Sequence, residues 1–267
     1  MTLVHLIVIA VLQGITEFLP ISSSGHLALA PKLICWPDQG LQIDVAVHVG
    51  TLGAVITYLW RDMWLMMISL TRLRRWRSDP GIRLLIMLMI ATAPVIVAGL
   101  LFHTYARDGL RDITVIGWAT LGFGLVLYVC DRHGQASRRL EHLNINSALW
   151  IGLAQVAALI PGASRAGVTI SAARAMGYER QDAARFSMLL SIPTIIAAGT
   201  LAGIDVMKSG DASLQSDAVI AAGLAFVTAY IAIALMMRWL RHASFTPFVV
   251  YRMIFGVGVL GIAYAGT

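Results

Sequence analysis

Charge is what this sequence has least of. Only 13% of its 267 residues are Asp, Glu, Lys or Arg, about half the share of a soluble chain. A water-facing surface wrapped round a core of this length is therefore excluded. Cysteine is scarcer still. Cys35 and Cys130 lie in or beside apolar runs, without CxxC or His spacing, which excludes a disulfide framework and a cysteine zinc site. No Lys or Arg precedes the first apolar run, and Glu17 closes that run; a cleaved signal peptide is not expected. What is there is oil: 58% of residues are hydrophobic and the mean hydropathy is +0.77. The long apolar runs predict a polytopic all-α membrane protein. The net charge of +6 comes almost wholly from arginine. Its placement speaks for membrane orientation and lipid headgroups rather than nucleic acid.

Against that background the stretch Gln13–His26, QGITEFLPISSSGH, is anomalous. A carboxylate at the bilayer centre costs about 2.5–3.5 kcal/mol on insertion scales, so an intramembrane Glu is a functional hypothesis by default. Gln13 and Glu17 are four apart and share a helix face. Pro20 breaks the helix. Ser22, Ser23 and Ser24 follow, Gly25 permits a tight turn, and His26 opens the next apolar arm. Such a break is tolerated at membrane depth only when buried in protein or lining a wet cavity.

Taken in order, residues 3–35 form two arms too short to span comfortably, which predicts a re-entrant hairpin. Spans are expected at 41–60, about 84–102 and about 113–130. Residues 147–177 repeat the opening pattern around PGASRAG, and spans follow at about 186–205, 218–237 and 247–265. The reading is one integral membrane domain with six transmembrane helices and two re-entrant helical hairpins. Its halves, about 1–133 and 147–267, each hold three crossings, so the second enters the membrane from the opposite side. That is an inverted-topology repeat, whose broken helices meet near the midplane. Arg72, Arg74, Arg75, Arg77, Arg83, Arg132, Arg138, Arg139, Arg238 and Arg241 fall on one side of this topology. Asp38, Asp44, Asp108, Asp112, Asp211 and Asp217 fall on the other. The positive-inside rule then puts the Arg-rich loops in the cytoplasm and both termini outside.

The second break supplies Gly162, Ser164, Arg165, Gly167 and Thr169 where a new helix begins. Helix N-termini present free amides and a positive dipole end to anions, and the planar fork of Arg165 suits phosphate oxygens. Gln13 and Glu17 supply oxygens of the kind that hold Mg²⁺ or Ca²⁺, cations that commonly arrive with phosphates. His26 can exchange a proton near neutral pH, and Ser23 or a neighbour is a nucleophile if a base lies within reach. A phosphate ester at membrane depth must carry a lipid tail. The inventory points to a lipid phosphate or diphosphate handled inside the bilayer. A transporter or lipid flippase is the rival reading, since broken inverted repeats also build transporters; it needs no nucleophile and proton donor beside an Arg.

The motif QGITEFLPISSSGH resembles the (E/Q)xxxE and SSxGH signature of the bacterial undecaprenyl-diphosphate phosphatases of the bacitracin-resistance type. PGASRAGVT (161–169) resembles that family's PGxSRSxxT motif, and SFTPFVVYR (244–252) its C-terminal signature. The resemblance runs over essentially the whole chain, motifs in order. It implies hydrolysis of undecaprenyl diphosphate to undecaprenyl phosphate and phosphate, recycling the carrier for cell-wall synthesis and conferring bacitracin resistance. It further implies a divalent cation, a site open to the outer face, and residence in the bacterial inner membrane. Carried over residue by residue, Glu17, Ser23, His26 and Arg165 are the expected catalytic residues. Gln13, Ser22, Ser24, Gly25, Gly162, Ser164 and Thr169 are expected to bind substrate, and Glu17 with Gln13 to hold the metal. Expected partners are a polyprenyl diphosphate and membrane lipids; a homodimer is the oligomer to test. Two positions depart from the pattern: Gln13 stands where many members have Glu, and Ala166 replaces the second serine of PGxSRS. Arg252 matches the family's arginine and is assigned no role; snorkelling from the cytoplasmic end of the last helix would account for it.

Overall fold

The computed structural model describes residues 2–34, 36, 39–71, 78–105, 112–207 and 214–265. Among them the chain forms eleven α-helices and no strand: α1 (Leu3–Thr16), α2 (Ser23–Ile34), α3 (Gly40–Tyr58), α4 (Trp60–Ser69), α5 (Pro80–Tyr105), α6 (Ile113–His133), α7 (Ile145–Val156), α8 (Arg165–Ala175), α9 (Arg180–Met207), α10 (Leu214–Trp239) and α11 (Thr246–Ala265). Six of these, α3, α5, α6, α9, α10 and α11, are long and apolar enough to cross a membrane. The protein is an all-α, multi-pass membrane protein.

Local chemistry sets the helix ends. Asp79 accepts from the amides of Gly81 and Ile82 and Pro80 takes the first helical position, where its missing N–H costs nothing. The span therefore starts before residue 84. Likewise α9 begins at Arg180 rather than near 186, because its polar first turns are held by ion pairs. Helix α4, which the hydropathy pattern does not announce, follows a break at Leu59 and carries Asp62 inward.

The helices pack pairwise: α10 against α3 and α1, α11 against α6, and α5 against α7. At the α3–α10 crossing Gly50 is required by close approach. A Cβ there would run into the Ala222 carbonyl. The main core lies around Phe18, Ala54, Ile170, Leu189, Ile233 and Phe245, all at most 1% exposed.

Ion pairs gather at one end of the bundle. Asp131 accepts from Arg174 Nε at 2.9 Å, Arg180 Nε at 2.8 Å and the Phe245 amide at 3.1 Å. Arg185 pairs with Asp62, and Arg83 donates to the Leu143 carbonyl. These bonds bring together the loops and helix ends around residues 62, 83, 131–143, 174–185 and 245. Helix α7 leaves from this end and α8 returns to it, since Arg174 near the end of α8 also donates to the Gly134 carbonyl at 2.8 Å. At the other helix pair the His5 and Trp36 rings lie 4.4 Å apart, so α2 leads back to where α1 began. Arg72, Arg74, Arg75, Arg77, Asp38, Asp108, Asp211 and Cys35 lie outside the described residues.

Candidate active site at the two helix breaks

Helix α1 stops at Thr16, four residues before Pro20, because a proline ring clashes with the carbonyl of residue i−4. Residues 17–21 turn, and α2 begins at Ser23. At the second break α7 ends at Val156 and α8 begins at Arg165. Both breaks close in the same way. Ser22 and Ser164, each the residue before the new helix, have φ of 76° and 70°, left-handed conformations that cost about 1–3 kcal/mol outside glycine. Each hydroxyl accepts from a glycine amide three residues on: Gly25 to Ser22 at 3.4 Å and Gly167 to Ser164 at 3.1 Å. The cap takes one amide of each first turn. The rest of that turn has no partner within its own helix.

The breaks meet on Glu17, which is buried. Its Oε1 accepts from Arg165 Nη2 at 2.8 Å. Its Oε2 accepts from Gln13 Nε2 at 2.9 Å, as the i, i+4 spacing predicts, and from Ser23 Oγ at 2.7 Å. Arg165 thus joins the second break to the first, and it does not snorkel: its side chain is 13% exposed. A cavity of about 280 Å³ opens on this group between α3 and α9, with Glu17, Arg165, Asp44, His48 and Thr194 in its wall and Leu41, Val45 and Ile195 beyond. A hydroxyl hydrogen-bonded to a carboxylate, beside a guanidinium and near a partly apolar slot, offers the groups that phosphoryl transfer to or from a lipid uses.

Other residues named from the sequence lie elsewhere around this centre. His26 is buried; its Nδ1 meets the Ser22 carbonyl at 2.7 Å and its Nε2 the Tyr251 hydroxyl at 2.6 Å. Its ring stacks on Phe255, centroids 4.1 Å apart. Neither ring nitrogen bonds Ser23. Ser24 is exposed and its hydroxyl lies 3.3 Å from that of Ser22. Thr169 is buried; its hydroxyl bonds the Arg165 carbonyl and, at 2.7 Å, Ser187 of α9. Gly162 has φ of 93°, and a Cβ there would strike the Ile116 carbonyl.

Two groups escape a sequence reading. Arg252, assigned no role from the sequence, does not snorkel: it is fully buried. Its guanidinium donates to the carbonyls of Pro20 in the first break, Gly162 and Ala163 in the second, and Thr120 of α6, at 3.0–3.2 Å. It is a second link between the two breaks, beside the Arg165–Glu17 pair. His48 reaches within 3.9 Å of Glu17, and its Nδ1 lies 2.7 Å from the Asp44 carbonyl. The signal for it was an ionisable i, i+4 pair, Asp44 and His48, inside an apolar run.

The divalent cation expected at Glu17 and Gln13 fits the donors present. Gln13 Oε1 is buried with no partner, beside the carboxylate it shares a helix face with. Amide, carboxylate and hydroxyl oxygens are hard donors, and Mg²⁺ commonly binds one or two carboxylates and completes its shell with phosphate and water. Among the described residues no three His, Cys, Asp or Glu side chains are grouped to hold a metal; phosphate oxygens and water would complete such a site.

Residues 6–258 match the family described as bacitracin resistance protein BacA. The chain is 55% identical to the undecaprenyl-diphosphatase of Ruegeria pomeroyi over 267 residues, 99% of this chain and 100% of that protein. It is 53% identical to the undecaprenyl-diphosphatase of Roseobacter denitrificans at the same coverage. Against undecaprenyl-diphosphatase 1 of Rhodospirillum rubrum the identity is 48% over 100% of this chain and 97% of that protein.

Proposed function

This chain belongs to the family of the bacitracin resistance protein BacA, and from that premise we propose how its two breaks work. The protein is a membrane phosphatase that hydrolyses undecaprenyl diphosphate to undecaprenyl phosphate and phosphate, recycling the lipid carrier. The observation that carries the mechanism is the chain Ser23–Glu17–Arg165, linked at 2.7 and 2.8 Å. The prenyl tail lies along the apolar wall between α3 and α9, and the diphosphate faces Arg165 and the first turns of α2 and α8. Ser23 Oγ attacks the terminal phosphorus as Glu17 takes its proton. The bond from that phosphorus to the bridging oxygen breaks, and undecaprenyl phosphate leaves with the electron pair. Water then attacks the phosphoserine, the Oγ–P bond breaks, and Glu17 returns its proton to Ser23. Inorganic phosphate carries away the remaining proton.

Arg165 neutralises charge on the transferring group, a role worth most in a water-poor site. His26 holds the Ser22 turn, and so the aim of Ser23, through its bond to the Ser22 carbonyl. Gln13 Oε1 and the Glu17 carboxylate would hold Mg²⁺ or Ca²⁺ with the diphosphate; when bound, the ion supplies Lewis-acid neutralisation of phosphate charge.

The two helix pairs act as re-entrant hairpins of an inverted repeat. Supporting this, Gln13, Ser22 and Gly25 recur at one offset as Gln155, Ser164 and Gly167. In addition, α1 packs on α10 as α7 packs on α5. With the Arg-rich end in the cytoplasm of the inner membrane, the slot between α3 and α9 opens outward.

The test is a single-turnover reaction with diphosphate labelled on the terminal phosphorus, quenched in acid. Labelled protein that forms and decays at the rate of phosphate release, and is lost in Ser23→Ala, is expected. Rapid release without labelled protein would replace Ser23 by water as the nucleophile.

A further inference from the structure

On the outer side of α1, away from Glu17, a trench of about 770 Å³ runs between α1, α10 and α11. Its walls are Ile15 of α1, Leu19 of the turn that follows it, Ile231 and Leu235 of α10, and Phe248 of α11. Along α10 the lining runs from Thr228 to Trp239, a rise of about 16 Å at 1.5 Å per residue. That is one leaflet of a hydrocarbon core about 30 Å thick.

The trench ends in a different chemistry. Arg238, in the last turn of α10, and His242, just beyond the helix end, line its last part together with Trp239. Both Arg238 and His242 are exposed, and among the described residues neither side chain has an ion-pair partner. Among the described residues no Asp or Glu lines the trench. Trp239 is 47% exposed and its indole N–H donates to the Ser244 carbonyl at 3.0 Å, the placement of a headgroup-level anchor. An apolar slot one leaflet long, closed by an exposed cation and an imidazole, complements a lipid with an anionic head.

We propose that this trench binds one anionic glycerophospholipid of the leaflet at the Arg-rich end, an acyl chain between α1 and α10 and its phosphate on Arg238 and His242. Leu19 connects the trench to the chemistry. It lies two residues beyond Glu17 and next to Pro20, in the turn that places the carboxylate. A seated acyl chain packs on that turn from behind and narrows its motion, so the bound lipid raises kcat. The binding stands on the trench alone; the rise in kcat rests on the phosphatase reading.

The full chain is delipidated and reconstituted in nanodiscs of phosphatidylcholine with and without phosphatidylglycerol, and lipid retention is read by native mass spectrometry. Wild type should retain one phosphatidylglycerol in preference to phosphatidylcholine and turn over several-fold faster with it. Arg238→Gln/His242→Gln should lose both effects and keep the wild-type rate in pure phosphatidylcholine. Arg241→Gln, outside the trench, should keep both. Equal retention of the two lipids, undiminished phosphatidylglycerol binding in the double variant, or equal loss in Arg241→Gln would overturn the site. So would disulfide-linked dimers of Leu235→Cys in the membrane, which would give the trench to a second copy. Retention as expected in a protein that releases no phosphate would sink the phosphatase reading and leave the lipid site standing.

Discussion

Replacing Arg252 separates a clamp from a snorkelling side chain. Its guanidinium makes five bonds to four carbonyls, three of which belong to the two helix breaks. In Arg252→Lys a single ammonium with three donors cannot span both turns. At least two bonds are lost, and hydrogen bonds to charged groups contribute about 1.5–3 kcal/mol each, so the cost is about 3–6 kcal/mol. The charge stays buried, which adds to that cost. Arg252→Met leaves the carbonyls of Pro20, Gly162 and Ala163 bare, at about 1–3 kcal/mol each. It also removes a buried cation whose desolvation costs several kcal/mol, so much of the loss is offset. The expected order is therefore unusual: the methionine variant folds with a modest loss of thermal stability, and the lysine variant is the less stable of the two. Both should be poor enzymes, because a misplacement of 1 Å between groups from different breaks costs about 10²-fold in rate. Thermal unfolding in detergent and steady-state hydrolysis of a short-chain polyprenyl diphosphate read the two quantities separately. A lysine variant with wild-type stability and rate would refute the clamp, and a methionine variant with wild-type rate would refute its role in placing Ser23 and Arg165.

Three further outcomes follow from the same geometry. Arg165→Lys keeps the charge and loses the fork, so kcat should fall by about 10²–10³; a near wild-type rate would remove Arg165 from the transition state. Gln155, fully buried with both amide atoms unpartnered, should be replaceable by Leu with a gain of about 1–3 kcal/mol, or about 2–4 °C in Tm per kcal/mol. A fall in Tm there would mean that the amide is satisfied by an internal water. Chelation should abolish turnover, with Mg²⁺ or Ca²⁺ restoring it, and Gln13→Leu should raise the cation concentration needed for half-maximal rate. Full activity in chelator would leave the orphaned Gln13 oxygen unexplained.

The sequence by itself determined the class of protein and the chemistry on offer. Apolar runs of about 20 residues have one stable use, and a membrane leaves backbone amides no partner outside a helix. Glu17, three serines and Arg165 beside two proline breaks therefore read as a site without any coordinates. The i, i+4 rule was enough to join Gln13 to Glu17 before the fold was known. What lies across the fold was not legible. Arg252 sits near the end of the chain in an ordinary apolar helix, and its partners, Pro20, Thr120, Gly162 and Ala163, are backbone carbonyls. Backbone carbonyls occur at every residue, so no side-chain pattern announces which of them a guanidinium will meet. Thr169 shows the converse. Its motif points to the substrate, while packing of α8 on α9 turns the hydroxyl to Ser187. Local rules decide where helices break and which residues share a face; the crossing of α6, α8 and α11 decides which buried donor meets which free acceptor. Only the folded chain brings those groups within 3 Å of one another, and the low dielectric of its interior gives those bonds their weight.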